Sequence, residues 1–154
     1  GDTAPPSVNR LAGDTAVKAK AIDSRAGSTD KVPDPELHAI TVADAIKTGK
    51  PTVVVISTPT YCVSKFCGPI TESVATLAAA HKDKANFIHL EVWSDYENTA
   101  INKSAADWIY PEGAEDAREP WVFLIGADGK ILQRWDNVTS DESLSAALKH
   151  AIGS

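Results

Sequence analysis

Val53-Val54-Val55-Ile56 is the stretch that most restricts the fold of this chain. Four consecutive apolar, β-branched residues leave no strand face for water. That pattern suits a strand covered on both sides, as in a parallel sheet flanked by helices. Pro51 opens the run, and Tyr61-Cys62-Val63-Ser64-Lys65-Phe66-Cys67-Gly68-Pro69 follows it closely. Cys62 and Cys67 are the chain's only cysteines, and each follows an aromatic residue. A buried strand that delivers two near-adjacent cysteines to the start of a helix is an arrangement for dithiol–disulfide chemistry, because a helix N-terminus stabilises the attacking thiolate.

The rest of the chain supplies partners for that strand. Thr41-Val42-Ala43-Asp44 reads as a capped helix start and Gly49 as its stop. Gly68 as N-cap and Pro69 as first helical residue predict a helix to about His81, with Ile70, Val74, Leu77 and Ala78 on one face. Phe87 to Val92 alternates as a strand, with Ile88, Leu90 and Val92 inward and His89 and Glu91 on a solvated face. Residues 94–119 are polar and interrupted, with a helix expected within Ala100 to Ile109 and a loop over Pro111 to Glu119. Trp121 to Ile125, the turn Ala127-Asp128-Gly129-Lys130 and Ile131 to Trp135 form a hairpin. A capping box at Thr139-Ser140-Asp141-Glu142 starts a last helix carrying Leu144, Leu148 and Ile152.

Two regions result: an irregular N-terminal arm over residues 1–35 and a domain over residues 36–154. Pro5, Pro6, Gly13, Gly27, Pro33 and Pro35 punctuate the arm, which reads as a surface-hugging segment with an edge strand at Val17 to Ile22. A chain of 154 residues can bury a full core without disulfide support. Its net charge of -6, with no basic stretch, argues against nucleic acid as a partner. The start at Gly1 without Met reads either as a trimmed chain or as a mature product whose targeting segment, and any membrane tether, has been removed. His38, His81, His89 and His150 show no ligand spacing with the cysteines, so surface or strand-face histidines, no metal and no cofactor are expected.

The order strand, helix, strand, helical insert, hairpin, helix resembles the thioredoxin fold: α/β, a central mixed sheet with flanking helices. Pro59-Thr60-Tyr61-Cys62 resembles the approach to that family's active site. Glu119-Pro120-Trp121 resembles its cis-proline segment, and Val122 to Ile131 is similar to the hairpin of extracytoplasmic TlpA-type oxidoreductases. The resemblance implies a thiol–disulfide oxidoreductase acting on protein thiols or disulfides with a redox partner protein, in the periplasm or cell envelope. It implies Cys62 and Cys67 as the catalytic pair, with Tyr61, Phe66, Pro120 and Trp121 lining the substrate groove. The departure is a Cys-x₄-Cys spacing where the family uses Cys-x-x-Cys. Distance from the strand favours Cys62 as attacker; the match of Phe66-Cys67-Gly68-Pro69 to the family's Trp-Cys-Gly-Pro favours Cys67. Thr52 to Ser57 also carries no carboxylate where thioredoxin keeps a buried acid, a place that Glu91 could fill.

Two other readings compete. A binding module would keep the disulfide only as a loop staple, although so short a loop restrains just about 2 kcal/mol of unfolded-chain entropy. A thiol peroxidase would share the Cys-x₄-Cys spacing, but Val55 and Pro59 stand where that resemblance calls for proline and a hydroxyl.

Overall fold

The computed structural model describes residues 2–61, 67–109, 120–136 and 141–153. After the arm come α1 (Val42–Ile46), β1 (Thr52–Ser57), α2 (Cys67–His81), β2 (Asn86–Glu91), β3 (Trp93–Asp95), β4 (Ala100–Ile101), α3 (Lys103–Ile109), β5 (Trp121–Ile125), β6 (Ile131–Asp136) and α4 (Asp141–Gly153). The main sheet has the order β2-β1-β5-β6. β1 pairs parallel with β2 and antiparallel with β5.

Every residue of β1 is buried, as the unbroken Val53–Ile56 run requires. Alternate side chains feed two cores. Val54 and Ile56 join Ile88, Leu90, Phe123 and Trp108 on one face. Val53 and Val55 meet Val74 of α2 and Leu144 and Leu148 of α4 on the other. At about 25 cal/mol per Å² of apolar area, this two-sided burial is the main favourable term holding the sheet.

Local signals account for most element ends. The Thr41 hydroxyl accepts from the Asp44 amide at 3.1 Å and caps α1, and Gly49 leaves it at φ +77°. Gly129 turns the β5–β6 hairpin at φ +82°, where a side chain would be strained. α2 starts at Cys67, two residues before the Pro69 start read from the sequence. Pro69 is tolerated there because amides of the first turn have no intrahelical partner anyway. The Thr139-Ser140 half of the last capping box and the 111–119 loop lie outside the described residues.

Three expectations are corrected. Val17 to Ile22 is not an edge strand; it contains a 3₁₀ turn at Ala19–Ala21, followed by another at Ser24–Ala26. The polar 94–119 stretch opens with a β3–β4 pair not read from the sequence, while its helix, Lys103–Ile109, falls within the expected Ala100 to Ile109. The arm is also not merely laid on the surface. Ala4, Ser7, Asn9, Ala21, Ile22, Asp23, Ser24 and Ala26 are buried. Long-range hydrogen bonds hold it: the Ile131 amide donates to the Asp2 carbonyl, the Val42 amide to Asn9 Oδ1, and the Trp108 indole to Ser7 Oγ. Among the described residues, no helix is long and apolar enough to cross a membrane.

Candidate functional site at the end of β1

The sheet delivers its functional groups to one end. β1 runs out at Ser57, and the Tyr61 amide, next in sequence to Cys62, donates to the Thr58 carbonyl at 3.1 Å. Cys67, the first residue of α2, is fully buried and not a free thiol. Pairing of Ile56 with Trp121 brings Pro120 to the same end of the sheet. Pro120 is buried, and the Trp121 ring lies in the core with Val54 and Phe123. Tyr61 is half-buried and stacks on Tyr96, with ring centroids 3.9 Å apart and planes 3° from parallel. Cys62, Lys65 and Phe66 lie outside the described residues; Tyr61, Cys67 and Pro120 follow or adjoin this end of the sheet, whereas the Trp121 ring is packed in the core instead of lining a groove as expected.

A clasp fixes the first turn of α2 to β1. The Thr71 hydroxyl donates to the Cys67 carbonyl at 2.7 Å and lies 2.8 Å from Ser57 Oγ. Its single proton is committed to the carbonyl, so Ser57 is the donor in the second bond. Both side chains are fully buried.

Behind this clasp, the structure overturns the solvated face expected for His89 and Glu91. Glu91 is 2% exposed and His89 1%. Glu91 Oε1 accepts from the Ser24 amide at 2.6 Å, and Ser24 Oγ accepts from the Thr60 amide at 3.0 Å. The carboxylate is thereby linked through the arm to the backbone two residues before Cys62. Burial pushes the Glu91 carboxyl up to about 7, against hydrogen bonds from Ser24 that pull it down. A group so placed can hold or release a proton near neutrality.

His38 and His89 likewise depart from the surface placement expected of them. His38 Nε2 lies 2.9 Å from His89 Nδ1, and the fully buried Asp23 lies alongside. Arg25 grips Asp23 with two bonds, Nε to Oδ1 at 3.0 Å and Nη2 to Oδ2 at 2.6 Å, and reaches Asp34 at 2.9 Å. Burial raises the Asp23 carboxyl, but the Arg25 guanidinium outweighs it and holds the group below the ordinary carboxylate range. Burial lowers both histidines, His89 to about 4, with Asp23 opposing. Sequence reasoning missed Asp23 and Ser24. The available signal was Asp23 as an N-cap, its carboxylate accepting from the Arg25 amide.

With this geometry in place, the comparisons with known proteins support the fold. The chain is similar to a crystal structure of a thiol:disulfide interchange protein of the thioredoxin family from Chlorobium tepidum TLS, at 15% identity and TM-score 0.51, covering 74% of this chain and 86% of that one. It is also similar to oxidised mitochondrial thioredoxin 3 from Saccharomyces cerevisiae, at 18% identity and TM-score 0.47, covering 70% and 84%. No protein-family model and no curated protein matches the chain. The fold is thioredoxin-like: a central mixed sheet with flanking helices.

Proposed function

We propose that the protein is a thiol–disulfide oxidoreductase working through Cys62 and Cys67. The observation that carries this reading is the placement of Cys67: buried, not a free thiol, and first in a fifteen-residue helix that follows the central strand. Cys62 is the chain's only other cysteine. Its pairing with Cys67 in a disulfide is part of the proposal. A buried Cys67 suits the resolving role and leaves the encounter with a partner to Cys62, in keeping with the strand-distance argument. The thioredoxin-like fold and the similarity to a thiol:disulfide interchange protein add support.

In the reducing direction, the Cys62 thiolate attacks one sulfur of a partner disulfide. That bond breaks, a mixed disulfide forms, and one partner thiolate leaves. The Cys67 thiolate then attacks the Cys62 sulfur and releases the second partner thiolate. The partner has gained two electrons and this protein has lost them; two protons from the Cys62 and Cys67 thiols end on the partner. The helix dipole at Cys67 favours thiolate. The Glu91–Ser24–Thr60 chain positions the loop, and Pro120 and Tyr61 flank the place where a partner segment would lie. A TlpA-type role in the periplasm or cell envelope, with a redox partner protein, belongs to this proposal.

The test is a redox titration of the full chain by thiol trapping and mass spectrometry across glutathione and dithiothreitol series. A reversible transition between about -120 and -270 mV is expected. A bond that resists reduction below about -300 mV would make the disulfide a staple, leaving the binding-module reading.

A further inference from the structure

The Asp23–His38–His89 cluster carries a requirement that its own protons do not meet. His38 Nδ1 lies 3.0 Å from the Asp34 carbonyl oxygen, and His89 Nε2 lies 3.0 Å from the Ser57 carbonyl oxygen. A carbonyl oxygen only accepts, so each of these outer nitrogens must carry the hydrogen. In a neutral imidazole the other nitrogen is then a bare lone pair. Those bare nitrogens, His38 Nε2 and His89 Nδ1, face each other at 2.9 Å. Asp23 Oδ2 approaches the same point, 3.5 Å from the first and 3.4 Å from the second. Two neutral rings offer two hydrogens for three contacts. A positive centre is missing between three converging lone pairs.

We propose that Asp23, His38 and His89 form a binding site for one divalent transition-metal ion, with zinc as the best match. Three observations select a metal ion. The donor set of two imidazole nitrogens and one carboxylate oxygen is the chemistry of zinc and its neighbours. Ligands held about 2.0–2.1 Å from a tetrahedral ion stand roughly 3.3 Å apart, and the three edges of this triangle fall near that spacing. Finally, each histidine gives its outer N–H to a backbone carbonyl, the usual second contact that fixes the tautomer of a metal-bound imidazole.

Arg25 fits the same picture. Its fork on Asp23 orients the carboxylate, and Asp34 offsets its charge, so that Asp23 and Asp34 together leave one net negative charge toward the ion. The site would join the arm, the 3₁₀ turn Pro35–His38 and β2. Because all three ligands are buried, the ion would enter as the chain folds.

This inference is independent of the dithiol proposal, and its test keeps them apart. The full chain with its cysteines oxidised is unfolded in denaturant, stripped with a chelator and refolded with zinc. It is then desalted and its metal content measured by mass spectrometry. One zinc per chain is expected to remain, with a raised Tm. A Cys62→Ser/Cys67→Ser double variant should retain the same amount, whereas His89→Gln should bind at least about tenfold more weakly. X-ray absorption on the zinc-loaded wild type serves even if His89→Gln fails to fold: a first shell of nitrogen and oxygen is expected, and sulfur in it would overturn the site. Refolded wild type that retains no zinc would also overturn it, and would make the missing positive centre a proton shared by the two rings.

Discussion

The Ser57–Thr71 clasp predicts an unequal response to two conservative substitutions. Thr71→Val preserves shape and has similar helix propensity, but leaves the buried Ser57 hydroxyl with no acceptor among the hydrogen bonds described. An orphaned buried donor costs about 1–3 kcal/mol, so a loss of about 2 kcal/mol is expected. Ser57→Ala leaves Thr71 still donating to the Cys67 carbonyl, so no donor is orphaned and the loss should stay below about 1 kcal/mol. The double variant removes both hydroxyls and should cost roughly 1 kcal/mol less than the sum of the singles. The assay is urea unfolding of the oxidised protein for all four species, with an unchanged m confirming that stability alone has moved. Thr71→Val should also lower Tm by roughly 4–8 °C for a domain of this size. Equal costs for the two single variants, or additivity within about 0.3–0.5 kcal/mol, would refute the donor assignment.

Glu91 makes stability fall with rising pH. Its folded-state carboxyl is raised from the ordinary 4.5 to about 7, so its contribution is intact below 4.5 and lost as pH rises toward 7. In chelator-treated protein the loss should approach 3 kcal/mol, on the order of 1.4 kcal/mol per unit, and Glu91→Gln should abolish it; parallel pH profiles for wild type and variant would count against this. Gly129→Ala should cost about 1–3 kcal/mol, because a Cβ there would sit 2.8 Å from Ile46 Cγ2 at positive φ. Gly13→Ala, which meets nothing within 4 Å, should shift stability by less than about 0.5 kcal/mol in the same thermal melts. Tyr96→Ala should remove about 0.5–1.5 kcal/mol of stacking on Tyr61 and speed alkylation of reduced Cys62; an unchanged rate would separate the stack from the loop.

What could be read in advance was local. The Val53–Ile56 run announced a strand buried on both faces, Thr41 and Gly49 bounded α1, and Asp128-Gly129 marked the hairpin. Each depends on residues only a few positions apart. His89 and Glu91 misled because alternating polar residues on a strand normally mark a wet face, and what covers them lies far away in sequence. Ser24 reaches Glu91 across 67 positions, and His38 reaches His89 across 51. The arm has no periodicity to announce such partners. Its burial comes from scattered small apolar residues and single polar contacts rather than from a periodic apolar stripe.

The same arm imposes an order on synthesis. Asp2 and Ala4 find their backbone partners at Ile131 and Gly129, and the Ser7 hydroxyl donates to the Ser104 carbonyl and accepts from the Trp108 indole. A chain made from its N-terminus exposes these first residues long before their partners have left the ribosome. β1, α2 and β2 can pair while the arm is still unattached, whereas Asp2 and Ala4 can dock only after the hairpin has emerged. Ser24 needs only Thr60 and Glu91, so the carboxylate can be enclosed before that hairpin exists. Closure of the arm therefore runs backward, from Ser24 toward Asp2, with Asp2 and Ala4 the last to dock.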